Sequence, residues 1–153
     1  AQVIQVFDSW AGHLPEAEYK TFAEPYQKRV IETIKAKHPD VPVIIYMAPD
    51  VHSKDGAFLD HLAATGADCV SVDYTVDFGD TRARLPQNIA MQGNLDPKIL
   101  RDGPLDLIKT ETEKILAAGG CHKHIMNLGH GIEADTPEDH AKFFVDTVQA
   151  FRA

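Results

Sequence analysis

The sequence has little of what marks the specialised classes of protein. Only two cysteines occur in 153 residues, Cys69 and Cys121. Neither sits in a C-x-x-C spacing, which argues against a structural zinc site. Two thiols without a secretory signal suit a reducing compartment. No apolar run approaches the ~20 residues needed to cross a membrane, so no membrane is expected as a partner. Basic charge is in deficit, with 15 Lys and Arg against 23 Asp and Glu and a formal net charge of -8. With no overall basic field to attract phosphates, nucleic acid is not an expected partner. After the first strand-like segment the chain reads Phe7-Asp8-Ser9-Trp10-Ala11-Gly12, which is not a dinucleotide fingerprint. There is no P-loop pattern and no G-x-S-x-G elbow around Ser9. The eight histidines are scattered. Their closest pair, His122 and His124, straddles a loop and a strand start and reads as surface histidines rather than metal ligands.

What is present is an alternation of strand and helix signals. Hydrophobic content of 44% with 25% charged residues is globular, and the length suits one domain, 1–153. Val3–Phe7 is β-branched and aromatic. Pro15–Lys37 reads as a long amphipathic helix with Tyr19, Phe22, Tyr26, Val30 and Ile34 as its apolar face, kinked or split by Pro25. Val41–Met47 is an apolar strand. A loop at Ala48–Gly56 leads to a short helix at Ala57–Thr65, ended by Gly66. Cys69–Val72 is a strand, Asp80–Leu85 helical, and Ile89–Gln92 a strand. Asp96-Pro97 opens a turn and helix. Leu105–Ala118 is helical, His124–Asn127 is the last strand, and Pro137–Phe151 is the last helix with Thr136 as its N-cap. Five β-α units result, with mostly apolar strands of the kind found in parallel sheets covered on both sides. An open doubly wound sheet and part of a (β/α)₈ barrel are the two candidates.

Polar residues gather at the strand ends: Asp8-Ser9-Trp10, the loop after Tyr46-Met47, Asp73-Tyr74, Gln92-Gly93-Asn94-Leu95-Asp96-Pro97 and Asn127-Leu128-Gly129-His130-Gly131. In a barrel these converge on one mouth, where chemistry is done. Asp73 reads as a cap for the following helix, and Asn94 and Asp96 as turn residues. Ser9 and His130 are the better candidates for ligand contact. The glycines beside His130 let the backbone pass close to a ligand.

These same segments, with Val72-Asp73-Tyr74-Thr75-Val76-Asp77 and Thr136-Pro137-Glu138, resemble the uroporphyrinogen decarboxylase family in order and spacing. The Asn-Leu-Gly-His-Gly motif is the strongest. The resemblance runs along essentially the whole chain and covers only the C-terminal part of that enzyme. It implies an α/β fold of five β-α units forming part of a (β/α)₈ TIM-type barrel, with the N-terminal strands missing. It implies cofactor-free, metal-free removal of carbon dioxide from the four acetate side chains of uroporphyrinogen III, giving coproporphyrinogen III in haem and chlorophyll biosynthesis. It implies a homodimer, in cytoplasm or plastid. By motif, Ser9 and His130 match residues that contact substrate carboxylates, and Phe7 matches an apolar residue of the cleft wall. No catalytic residue is carried over, because the family's acid, its paired arginines and a cleft tyrosine lie before the matched region. The isolated fragment is therefore expected to be inactive. The chain opens on strand-like sequence without an initiating methionine, which agrees with a preceding part.

Two other readings stand beside this one. A corrinoid or thiol methyltransferase of the same barrel type would want an H-x-C zinc motif near Ala48–Gly56, a loop longer than the decarboxylase family leads one to expect. His52-Ser53-Lys54 lacks the cysteine, and a protonated lysine is no substitute ligand. The third reading is a non-catalytic remnant that binds a tetrapyrrole.

Overall fold

Five short parallel strands set the frame. They are β1 (Ile4–Phe7), β2 (Val43–Tyr46), β3 (Cys69–Ser71), β4 (Ala90–Leu95) and β5 (His124–Leu128). The computed structural model describes residues 1–120 and 122–152. Cys121 lies outside them, so its expected lack of a metal role does too. The strands lie side by side in chain order, β1-β2-β3-β4-β5, every pair parallel. A doubly wound sheet reverses its order part-way; this one does not. Right-handed crossovers in an order that never reverses deliver the helices to one face. That is the wall of a (β/α)₈ barrel, and it decides between the two candidate architectures. Here the wall stands open, with β1 and β5 as its edges.

The helices are α1 (Glu16–Phe22), α2 (Glu24–Lys37), α3 (Leu59–Ala63), α4 (Phe78–Arg84), α5 (Pro97–Asp102), α6 (Leu105–Gly119) and α7 (Glu138–Ala150). Alternate strand residues face opposite ways. One set, Val43, Ile45, Met47, Val70, Val72 and Met91, packs with Tyr19, Ile31, Phe58, Leu62, Phe78 and Leu85 of the helical layer. A smaller cluster joins Leu95 and Leu128 to Leu100 and Ile108. The opposite set, including Ile44, Tyr46 and Ser71, faces the lumen.

The Pro15–Lys37 segment splits as Pro25 requires. α1 ends at Phe22, and Pro25 sits in the first turn of α2, where its missing N–H costs nothing. The expected apolar face is corrected. Phe22, Tyr26 and Val30 are exposed, Ile34 is half-buried, and the buried stripe is Tyr19, Ala23, Gln27 and Ile31. A polar residue lies in that stripe because it is bonded at both ends. The Tyr19 hydroxyl donates to Gln27 Oε1 at 2.6 Å, and Gln27 Nε2 donates to Asp8 Oδ2 at 2.9 Å. The relay ties the tip of β1 to the helices and satisfies groups whose burial would otherwise be costly.

Two capping assignments and one turn assignment also change. Asp77, not Asp73, caps α4 by accepting from the Asp80 amide at 2.9 Å. Thr136 does not cap α7: Pro137 holds that position without a side-chain bond. β4 runs three residues beyond the expected Gln92, so Asn94 is a buried strand residue. It still acts structurally, its amide donating to the Asp73 and Val76 carbonyls at 2.8 Å each. Asp96 caps α5 through the Lys98 amide, in keeping with its turn role.

Candidate functional site

The register of the sheet builds the site. Phe7 pairs with Tyr46, Tyr46 with Ser71, Ser71 with Gln92, and Gln92 with Ile125. These five form one tier across the lumen face. Gln5, one tier below Phe7, crosses the curled sheet to meet this row, accepting from Gln92 Nε2 at 3.3 Å. The same amide nitrogen donates to Ser71 Oγ at 3.1 Å. The lumen is thus bridged by side chains from β1, β3 and β4, as the filled interior of a barrel would be.

Above this bridge a cavity of about 400 Å³ opens at the C-terminal ends of the strands. Phe7, Tyr46, Ser71, Gln92, Asn127 and His130 line it, and it continues round the open edge of β5 to Phe144 on α7. Phe7 stands edge-on to Tyr46 with centroids 5.9 Å apart, and His130 stands edge-on to the same ring at 6.4 Å. Two of the three residues singled out from the sequence, Phe7 and His130, therefore share one cavity from opposite edge strands. Ser9 lies two residues past β1 on the same rim, exposed in a turn, and does not line that cavity.

His130 is exposed, and its Nδ1 accepts from the Gly131 amide at 2.7 Å. In the neutral ring that leaves the proton on Nε2, free to donate to a ligand oxygen. One of the flanking glycines has another role than expected. A Cβ on Gly129 would lie 2.3 Å from the Tyr74 amide nitrogen, so Gly129 serves the approach of two loops of this chain rather than of a ligand. Gly131 has open space around it. The loop after His130 is fastened by Arg101 of α5, whose guanidinium pairs with Glu133 and stands 3.9 Å from Asp135.

Tyr46 went unremarked in the sequence except as a strand end. Its ring is 8% exposed, and its hydroxyl has no hydrogen-bond partner among the described residues. Burial, reinforced by the nearby charge of Asp73, pushes its pKa up to about 12, so the phenol keeps its proton. Asp73 organises a tight turn instead of a helix start. Its Oδ1 accepts from the Thr75 amide at 2.7 Å and the Thr75 hydroxyl at 2.5 Å. Cys69, one tier below, is buried, and burial pushes its thiol up to about 12, which makes it an inert packing group.

The remaining candidates are structural. His124 packs at a tilt against Phe78 with centroids 4.4 Å apart and lies 3.1 Å from the Gly93 carbonyl through Nε2. Burial lowers its pKa, so it sits as a neutral ring. In the Ala48–Gly56 loop, Ser53 is buried; it donates to the Ala48 carbonyl at 3.1 Å and accepts from the Asp50 amide at 2.8 Å. His13 pairs with Asp50 at 2.9 Å, so this loop folds over the turn after β1. Among the described residues, no three of His, Cys, Asp and Glu converge as a metal cage. No helix of the described residues is long and apolar enough to cross a membrane.

Comparison with known proteins adds the following. The family described as uroporphyrinogen decarboxylase matches residues 1–151. A curated uroporphyrinogen decarboxylase of Thermosynechococcus vestitus is 47% identical over 150 residues, which is 98% of this chain and 42% of that protein. One from Prochlorococcus marinus is 47% identical over 147 residues, covering 96% of this chain and 40% of the relative. The chain thus spans about two-fifths of the length of the curated relatives it matches. Among solved structures, a methyltransferase from Methanosarcina mazei superposes with a TM-score of 0.83 at 21% identity, covering 100% of this chain and 43% of its own. At that identity the likeness speaks for the fold alone.

Proposed function

This chain belongs to the uroporphyrinogen decarboxylase family, and from that premise we propose that it forms the C-terminal part of a single barrel domain that decarboxylates uroporphyrinogen III. The product is coproporphyrinogen III, the haem and chlorophyll precursor. The observation that carries the reading is the gathering of Phe7, Tyr46 and His130 around one cavity at the C-terminal ends of parallel strands, within a segment 47% identical to a curated decarboxylase.

The reaction asks for binding and charge placement. A proton added to an electron-rich pyrrole carbon makes the ring an electron sink. The bond between the acetate methylene and its carboxylate then breaks, carbon dioxide leaves, and the electron pair flows into the ring. A proton on the methylene carbon and loss of the ring proton leave a methyl group. Each acetate thus consumes one proton and releases one carbon dioxide. In this chain Phe7 forms an apolar wall against the tetrapyrrole. His130 offers its Nε2 proton to a carboxylate, and Ser9 on the same rim offers a hydroxyl to another. The acid that stabilises the cationic ring, and the arginines that clamp carboxylates in bidentate fashion, belong to the part of the protein preceding this chain. The working form is a homodimer, in cytoplasm or plastid.

The test is decarboxylation by the full-length protein. Uroporphyrinogen should yield stepwise products with seven, six, five and four carboxylates and stoichiometric carbon dioxide. His130→Gln and Ser9→Ala should raise KM more than they lower kcat. Absence of carbon dioxide release by a folded full-length protein would overturn the proposal, and tight stoichiometric zinc with methyl transfer would replace it.

A further inference from the structure

We propose that the Tyr46 phenol is a further ligand-contacting group in this cavity, donating a hydrogen bond to a carboxylate of the acidic tetrapyrrole. The inference rests on the decarboxylase reading and adds to it a binding residue outside the strand-end motifs.

Three observations lead there. The first is the orphan hydroxyl. A phenol 8% exposed without a hydrogen-bond partner among the described residues costs stability that phenylalanine would not. Buried hydroxyls are nearly always bonded, and an exception calls for a cause. The contrast with Tyr19 is direct, since that buried hydroxyl is bonded to Gln27 at 2.6 Å.

The second observation is position. Tyr46 sits mid-tier on the lumen face, paired with Phe7 on one side and Ser71 on the other. It lines the cavity that Phe7 and His130 border. The two rings standing edge-on to it, Phe7 and His130, are both exposed. Both line the cavity beside the phenol ring.

The third is chemical fit. Burial pushes its pKa up, so the phenol keeps its proton at neutral pH and is a donor. The acceptors a porphyrinogen offers are its carboxylates, because its pyrrole nitrogens carry hydrogens. Asp73 is the negative group nearest in effect, and its Oδ1 already holds two donors from Thr75.

The experiment is Tyr46→Phe in the full-length protein, with three readouts. The unliganded variant should melt at the wild-type temperature or above it, since no internal bond is lost. Its Kd for coproporphyrinogen III should rise about tenfold, in line with a hydrogen bond to a charged acceptor. KM for uroporphyrinogen should rise with kcat changed less. An unchanged Kd overturns the proposal. So does a melting temperature that falls while Kd holds, which would mean an internal partner. Should the variant not fold, the tyrosine ζ-carbon resonance of labelled wild type decides: it should shift when coproporphyrinogen binds, and an unmoved resonance contradicts the contact. A wild-type protein that neither binds coproporphyrinogen nor decarboxylates uroporphyrinogen sinks the family reading itself. A wild type that does both, with a variant that matches it, sinks only the role of Tyr46.

Discussion

The central strands and the edge strands of this sheet have the same backbone and different fates. In β2 all four residues are buried and in β3 all three. In β1 none is fully buried, and in β5 only Leu128 is. The difference is not one of residue type. Phe7 and Ile125 are as apolar as Ile44 and Tyr46, which face the same lumen, yet they are 67% and 44% exposed against 5% and 8%. A strand in a barrel wall is sealed by a neighbour on each side, and β1 and β5 each have only one. The contrast shows that the apolar side chains of the edges lack the second neighbours that would seal them. Under the proposed function, those neighbours are the rest of the barrel, and the cavity lies between its two parts.

The comparison can be broken most decisively by truncating matched residues. In the full-length protein, Ile44→Ala should cost about 2–5 kcal/mol, because it empties a buried site on the same lumen face as Ile125. Ile125→Ala should cost a comparable amount only if the preceding part of the barrel covers it. Denaturant melts of both variants measure this, and a near-neutral Ile125→Ala would show that β5 remains uncovered.

A smaller effect should come from His124 at the start of β5. Its pKa is lowered by burial, so the unfolded chain takes up a proton that the folded ring resists. Its contribution to stability is full above the ordinary histidine value near 6.5 and declines as pH falls below it. Melts between pH 7.5 and 5.5 should show a loss that His124→Gln flattens. A variant with the same slope as wild type would assign that loss elsewhere.

The smallest shift belongs to a central-strand connection. Asp77→Ala removes the cap of α4 and should cost about 1 kcal/mol. Asp73→Ala should instead loosen the Thr75 turn and leave α4 capped. Equal loss of α4 amide protection in both variants would contradict the assignment of Asp77.

The architecture was readable in the sequence because its signals are local. Short apolar runs, Pro25 in a first turn and Asp96-Pro97 each declare themselves within a few residues. What was missed depends on contacts between distant segments. The face of α2 was misread because Gln27 looks polar in sequence, and only its bonds to Tyr19 and Asp8 explain its burial. Gly129 was read as making room for a ligand, whereas the backbone it admits is that of Tyr74. Phe7 and His130 were found through motifs at strand ends. Tyr46 carried no such motif; its signal is a phenol in an otherwise aliphatic central strand, Val43-Ile44-Ile45-Tyr46, where an aliphatic residue would have packed at less cost.

The account turns on a ligand held at one end of the lumen, and amide hydrogen exchange of the full-length protein, with and without coproporphyrinogen III, tests that most directly. Binding should protect amides after the C-terminal ends of the strands, at 8–12 and 129–133, and leave those at the opposite ends, 40–42 and 66–68, unchanged. Protection confined to 40–42 and 66–68 would put the ligand at the wrong end of the barrel and contradict the account.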